Sequence, residues 1–333
     1  MLLQMMYLLA SHGILSVEVL PGETCAIPAQ NDFPLHLDGY EASAFDEDGI
    51  VATRFAYLPP LANTWEAWSI GSDDSICFSA MDVSGIPVIS LFQPVGSGGS
   101  QVLACASGSD TLWTCLLEGS DEFENGPVVS GSQNCGYLVS SRPDCNGTWT
   151  RIARITAGGE IVFSTLITSV YLLDSPEPVG EIGPSVESLG MTADGDVIVA
   201  GRVSQWFTSP EEWFVCLLDG LTGAPLWKAT GSAKGLAGLN QVTETPSGAY
   251  IGVGSTSVPG DPGLPWVWGE EEPLLVVIAS DGTVLDECTF RLETVDALTG
   301  IAALDAPGAC LAAGRDGSTG GTVLARLMMT GME

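Results

Sequence analysis

The feature that most constrains the fold is a short strand-like segment bounded by two glycines, which recurs along the chain. Three copies are GDVIVAG at 195–201, GAYIGVG at 248–254 and GACLAAG at 308–314, and a degenerate fourth is CGYLVSSR at 135–142. Their starts lie 60, 53 and 60 residues apart. The turn sequences TADG, TPSG and DAPG lead into the last three copies. Self-similarity at this period predicts a repeat architecture.

A second pattern follows each copy: an apolar run, a turn and another apolar run. Asp-Gly and Gly-Gly turns between such runs are typical of β-hairpins. A period of roughly 55 residues therefore predicts about four strands and no helix, which is the anatomy of one propeller blade. The hairpin segments are 150–167, 213–231, 273–290 and 322–332.

The front of the chain is less regular but carries related segments at 41–58, 75–92 and 100–118. With these units the sequence predicts an all-β fold, a β-propeller of six or seven four-stranded blades, with six preferred.

The two ends of the chain predict how the propeller closes. The last unit stops at its turn, so its fourth strand is missing, and GILSVEVL at 13–20 has the same shape as GEIVFSTLI at 159–167. We expect residues 14–20 to complete the last blade, which would remove free sheet edges. Residues 13–333 then form a single propeller domain. Residues 1–12 resemble the apolar part of a signal leader, although they lack its basic start.

One unit, LLDGLTGAPLWKATG at 217–231, resembles the repeat of the pyrroloquinoline-quinone-like propellers through Asp219, Thr222, Gly223 and Trp227. In that family the Trp docks one blade against the next. The units over 135–333 are also similar to degenerate propeller repeats of exported bacterial proteins. The resemblance implies the fold and an extracellular or cell-envelope location, but not an activity. At the Trp position the other units show Phe163, Ile89 and Asp286.

Charge and composition exclude several functions. The formal net charge is −31, and Lys228 and Lys234 are the only lysines. Such a surface repels nucleic acid and anionic membranes, while cations and basic partners fit it better. No apolar run in the sequence is long enough to span a bilayer. Quinone enzymes of the family use an adjacent Cys-Cys pair, which this sequence lacks.

Hydrolytic chemistry has few candidates. The two histidines are His12, in the leader-like segment, and His36, so a Ser-His-Asp triad is not indicated. A glycosidase needs only two carboxylates, and acidic residues are plentiful. We therefore keep a glycan-active enzyme as an alternative, with no catalytic residue assigned.

Calcium is the one cofactor that the sequence leaves open. Asp46 and Asp48 alternate before a glycine in FDEDG, which is part of a calcium-binding loop. The alternative is that these carboxylates are solvated turn residues.

Nine cysteines occur without a CxxC motif. Cys105 and Cys115 flank a turn sequence, and Cys135 and Cys145 have the same spacing. Disulfides at these pairs fit an exported protein. Buried free thiols are the alternative.

Three tryptophans stand out as candidate ligand-binding residues. Trp206 in SQWFTSPEEW, and Trp266 and Trp268 in GLPWVWGEEE, follow the Gly-rich strand in successive units. Adjacent blades would project these segments from one side, where aromatics beside carboxylates suit sugar or peptide recognition. The sequence therefore predicts a monomeric, non-catalytic binding or scaffold module for a protein or glycan ligand. The alternatives are that these segments fold back over the blades, or that the repeats are purely structural.

Overall fold

The fold was analysed in a computed structural model of the chain, which is nearly all β. One short helix, α1 (Ser169–Leu173), occurs among the residues that the structure describes. Those residues are 14–19, 43–46, 49–54, 64–68, 75–81, 87–95, 98–107, 110–117, 129–132, 136–141, 149–174, 184–204, 211–232, 235–261, 264–290, 295–303, 309–316 and 322–329.

The described strands form six antiparallel sheets of three or four strands, and we number these sheets in chain order. Sheet 1 contains β2 (Ser43–Asp46), β3 (Gly49–Arg54) and β4 (Thr64–Trp68). Sheet 2 contains β5 (Ser75–Met81), β6 (Pro87–Val95), β7 (Gly98–Ser107) and β8 (Asp110–Leu117). Sheet 3 contains β9 (Val129–Ser132), β10 (Gly136–Ser141), β11 (Trp149–Ile155) and β12 (Ile161–Thr168).

The later sheets repeat the pattern of four consecutive strands. Sheet 4 contains β13 (Ser185–Met191), β14 (Val197–Ser204), β15 (Glu211–Leu218) and β16 (Pro225–Gly231). Sheet 5 contains β17 (Leu236–Glu244), β18 (Tyr250–Asp261), β19 (Leu264–Ile278) and β20 (Val284–Thr289). Sheet 6 contains β21 (Val295–Ala303), β22 (Ala309–Asp316), β23 (Thr322–Met329) and, as its fourth strand, β1 (Ile14–Val19).

The position of β1 confirms the predicted closing strand. β1 pairs antiparallel with β23, and Val17 faces Leu327 in the register. At the front of the chain the structure differs from the sequence pattern, because 75–92 and 100–118 belong to one sheet rather than to two units.

The sheets follow one another through their first strands. Each first strand contacts the first strand of the sheet before it, from β2 through β5, β9, β13 and β17 to β21. The hydrophobic core lies between sheets. Phe163 of sheet 3 packs with Phe214 of sheet 4, and Val253 and Leu275 of sheet 5 pack with Leu298 of sheet 6.

The two glycines of the repeated segment have different roles. Gly195 and Gly248 have φ of +88° and +80°, which the turns before β14 and β18 require. Gly201 and Gly254 instead allow close backbone approach, because a Cβ at either would lie 1.9 Å from a carbonyl oxygen of the first strand.

A β-bulge in the first strand accounts for this close approach. The register shifts between Val186 and Ser188 in β13, opposite Gly201, and between Leu239 and Gln241 in β17, next to Gly254. A bulge bends its strand and redirects the side chains beside it.

The residue after each bulge ties its sheet to the next one. The Ser188 hydroxyl accepts a hydrogen bond from the Val242 amide at 3.2 Å, and the Gln241 side-chain oxygen accepts one from the Ile301 amide at 2.7 Å. The unpaired bulge residue Asn240 donates to the Leu298 carbonyl at 2.7 Å. Polar groups at this depth are costly unless they are paired.

On the outer strands, aromatic rings dock one sheet on the next. Trp227 of β16 donates its Nε1–H to the Ser280 carbonyl of sheet 5 at 3.0 Å, and its ring would lie 2.8 Å from a Cβ placed at Gly282. Phe163 occupies the same register position in β12 and covers Gly223 of sheet 4 in the same way. The prediction that Trp227 packs between sheets is confirmed.

The assignment of Ile89 to the docking position is wrong. Ile89 lies in β6, the second strand of its sheet, whereas the docking residues lie in fourth strands just after a register shift. In sheet 2 that position is Trp113 of β8. In sheet 5 it is Asp286, and sheet 6, which follows, has no turn from third to fourth strand because these strands are β23 and β1.

Gly201→Ala should destabilise the protein by about 3 kcal/mol or more, because the new methyl group would overlap a backbone oxygen that cannot move without breaking the strand pair. Gly158→Ala is the control, since a Cβ there meets only the Thr156 hydroxyl at 3.7 Å. Urea unfolding measures both. Equal loss in the two variants would contradict the assigned role of Gly201.

Trp227→Ala should cost about 2 kcal/mol in urea unfolding, below the loss for a fully buried aromatic because this ring is partly exposed. Trp227→Phe keeps most of the packing and loses the hydrogen bond to Ser280, so we expect about 1 kcal/mol. A loss as large in Trp227→Phe as in Trp227→Ala would show that packing on Gly282 contributes little.

Candidate ligand-binding face

The sheets have two distinct ends. At one end, which we call the turn face, first strands join second strands and third strands join fourth strands through the turns at 156–160, 192–196, 219–224, 245–249 and 279–283. At the opposite end, the loop face, second strands join third strands and each sheet continues to the next. The turn face is regular, whereas the loop face carries the segments that differ between sheets.

Four of these five turns share one hydrogen-bond pattern. The glycine amide donates to the carbonyl three residues earlier at Gly159, Gly195, Gly248 and Gly282. All four glycines have positive φ, as a hairpin turn with a G1 bulge requires. These turns therefore fix the strand registers and leave little freedom for ligand-specific shape.

The longest hairpin of the described chain extends from the loop face. β18 and β19 remain paired beyond the sheet, with Pro259 opposite Trp268 and Asp261 opposite Leu264. Trp266 and Trp268 are two residues apart on β19, and residues two apart share one face of a strand. The predicted insertion is thus, at its backbone, an ordered two-stranded arm.

The arm and the segment with Trp206 occupy equivalent places. Residues 205–210 connect β14 to β15, as the arm connects β18 to β19 in the next sheet. Trp206 itself and the side chains of Trp266 and Trp268 lie outside the described part of the structure, so their use in binding remains a prediction.

An ion-pair cluster stands at the base of the 205–210 segment. Arg202 Nε lies 3.3 Å from Glu187 Oε1, and Arg202 Nη1 lies 3.6 Å from Glu211 Oε2. All three side chains are about one-third exposed. Because water partly screens these ion pairs, each stabilises the fold by about 1 kcal/mol or less. Their main effect is to hold the three side chains in position.

This arrangement bears on glycosidase chemistry. A pair of catalytic carboxylates must face each other across space for the substrate. Between Glu187 and Glu211 that space holds the Arg202 guanidinium, so these two residues bind an arginine and do not form an open catalytic pair.

Two further tryptophans near this face have opposite roles. Trp213 is fully buried and donates Nε1–H to Glu287 Oε2 of sheet 5 at 2.9 Å, so it belongs to the core. Trp149 begins β11 after the 142–148 connection and is partly exposed, with the Arg151 guanidinium 5.8 Å from its ring centroid. The sequence reasoning missed Trp149, although its place after a second-strand connection matches that of the candidate segments.

The calcium prediction falls largely outside the described residues. Asp46 ends β2 opposite Gly49, but its side chain and all of Asp48 are not described. Within the described chain no three metal-ligating side chains come together. Calcium binding at this loop stays a prediction.

The predicted Cys105–Cys115 disulfide is not formed in the structure. A hairpin does form between β7 and β8, but its register shift sets Cys105 opposite Trp113 and Cys115 opposite Leu103. Cys115 is a buried free thiol, as are Cys216 and Cys310, and Cys288 is a partly buried one. Burial raises the pKa of Cys216 to about 12. Cys135 and Cys145 lie outside the described residues.

Comparisons with known proteins show structural neighbours only. No protein-family model matches the chain, and no curated protein does. Among solved structures it is similar to Sqt1 from Chaetomium thermophilum (14% identity, TM-score 0.48), covering 90% of this chain and 68% of that one. It is also similar to the PQQ-bound aldose sugar dehydrogenase from Streptomyces coelicolor (13%, 0.44, covering 96% and 99%). A third neighbour is BamB from Moraxella catarrhalis (13%, 0.31, covering 95% and 99%).

In the ranges that the structure describes, no helix is long and apolar enough to cross a membrane.

Native protein should protect Cys216 from alkylation by iodoacetamide, because the thiol is fully buried and its raised pKa keeps it protonated at neutral pH. Pulse labelling followed by mass spectrometry should show labelling of Cys216 only after unfolding in guanidinium. The same peptide in the unfolded sample is the internal control, and rapid native labelling would contradict the burial of Cys216 in the core.

Proposed function

We propose that the chain is a six-bladed β-propeller that acts as a non-catalytic binding or scaffold module, with a protein or glycan ligand held on the loop face. Six consecutive sheets, first strands that contact in sequence and a closing β1–β23 pair support the propeller. In this proposal each sheet is one blade of a single domain over 13–333.

The β18–β19 arm is the observation that carries the binding proposal. Trp266 and Trp268 lie two residues apart on its second strand, just before the acidic run Glu270-Glu271-Glu272, and in this proposal the strand presents both rings on one face. Aromatic rings supply apolar contact area at low conformational cost, and carboxylates accept hydrogen bonds from sugar hydroxyls or peptide amides. Trp206, on the equivalent connection of the neighbouring sheet, would complete the surface.

The non-catalytic part of the proposal has separate support. Arg202 fills the space between Glu187 and Glu211, the carboxylates at the base of the Trp206 segment. The resemblance to propeller repeats of exported bacterial proteins supports a location outside the cytoplasm, with residues 1–12 as a leader. We further propose that the module is a monomer, because its strong net negative charge opposes self-association.

The triple variant W206A/W266A/W268A tests the loop face. Wild-type protein should bind at least one member of a neutral-oligosaccharide array or a peptide array, and the triple variant should lose at least about tenfold in affinity. Gly158→Ala, on the turn face, is the matched control and should bind like wild type to that ligand, because a Cβ there meets only the Thr156 hydroxyl at 3.7 Å. Undiminished binding by the triple variant would place the site elsewhere, and release of sugar products would show an enzyme instead.

A further inference from the structure

Five exposed aliphatic side chains lie on the turn face, at the start of the fourth strands of sheets 3, 4 and 5 or in the turn that leads into one of them. We call them the apolar rim: Ile161, Leu221, Leu226, Val284 and Leu285. Their exposed fractions run from 39% at Val284 to 73% at Leu221. Single exposed aliphatics are ordinary, but a set around the starts of the fourth strands in three successive sheets is typical of an interaction surface.

Leu226 and Leu285 occupy equivalent backbone positions in their sheets, and so do Ile161 and Val284. Leu226 and Leu285 are the unpaired bulge residues of β16 and β20, since Leu218 pairs with Pro225 and Leu217 with Trp227 in sheet 4, and sheet 5 repeats the shift. Ile161 and Val284 begin their fourth strands. The neighbouring Trp227 does the inter-sheet packing, so the fold does not account for a leucine at position 226.

The docking contacts make the rim continuous. Phe163 of sheet 3 covers Gly223, two residues from Leu221, and Trp227 covers Gly282, two residues from Val284. Each ring therefore draws the start of one outer strand against the turn of the next sheet. The apolar positions of sheets 3, 4 and 5 follow one another along this edge.

Carboxylates accompany every part of the rim. Glu160 precedes Ile161, Asp219 opens the turn of Leu221, and Asp281 lies in the turn before Val284. Hydrogen bonds from Thr222 lower the pKa of Asp219, and those from Thr283 lower the pKa of Asp281, so both are charged at neutral pH.

The nearest described cations are already engaged. Arg154 donates to the Gly220 carbonyl. Lys228 binds Asp174 at 2.6 Å and the Tyr171 carbonyl. The rim therefore presents apolar side chains surrounded by negatively charged carboxylates.

We propose that the apolar rim docks an extended segment of a partner protein in which basic residues alternate with apolar ones. The apolar side chains would cover Leu226, Val284 and Leu285, and the basic ones would meet Asp219 and Asp281. A second copy of this chain fits poorly, because its rim carries the same carboxylates and the two negative surfaces would repel each other. Nucleic acid and anionic membranes are repelled for the same reason.

The test uses a fluorescein-labelled synthetic peptide of about twelve residues in which lysine alternates with leucine, and a lysine-serine peptide of equal charge, with Kd measured by fluorescence polarisation. We expect the lysine-leucine peptide to bind at least about tenfold more tightly than the lysine-serine peptide, and both to weaken as salt rises. Equal Kd values for the two peptides, or no binding, would overturn the proposal.

Variants then locate the contact. L226S/L285S should weaken binding of the lysine-leucine peptide about tenfold, since two half-exposed leucines lose their apolar contact. Leu166→Ser, equally exposed at the other end of β12, should change Kd less than twofold. Equal weakening in L166S would overturn the proposal. Self-association seen by sedimentation and abolished in L226S/L285S would make a second copy the occupant and overturn it as well.

Discussion

The close approach of backbone at Gly201 and Gly254 is the constraint on which the rest of the architecture depends. A carbonyl of the first strand lies where any side chain on the second strand would begin, so the first strand can bulge there. The bulge in turn aims Ser188 and Gln241 at the amides of the next sheet. One small residue therefore controls both the pairing within a sheet and the hydrogen bond that joins it to its neighbour.

A second device acts at the periphery. Phe163 and Trp227 follow an outer-strand bulge and cover a positive-φ glycine in the next sheet. Because a glycine lacks a Cβ, the ring lies directly on the turn backbone. Neighbouring sheets are thus joined at two places: by hydrogen bonds at their first strands and by aromatic side chains at their fourth strands. The two contacts together restrain the sheets more than either would alone. In sheet 5 the docking position is held by Asp286. The next sheet, sheet 6, has no turn between its third and fourth strands on which an aromatic ring could pack, because these strands are β23 and β1.

The periodicity of the sequence predicted the features that repeat from sheet to sheet. The features that it failed to predict depend on the pairing register of the strands. The pairing of β1 with β23 followed from the sequence shape shared by 13–20 and 159–167. Ile89 was misplaced because a hairpin pattern does not reveal whether it holds the first or the last pair of strands in a sheet. Cys105 and Cys115 have hairpin spacing, but the one-residue shift before Ala106 moves Trp113 opposite Cys105. Such shifts depend on packing that spacing cannot show.

The two sheet ends differ in what their sequences must satisfy. On the turn face each connection has to place a glycine at positive φ and a strand start at a fixed register, so its residues are largely dictated by the fold. The apolar rim departs from this rule, because nothing in the packing requires a leucine at 226 or 285. On the loop face the chain extends the β18–β19 hairpin, whose sequence carries two tryptophans. Residues that the fold does not require are the ones free to serve recognition, and in this chain they occur at both ends of the same sheets.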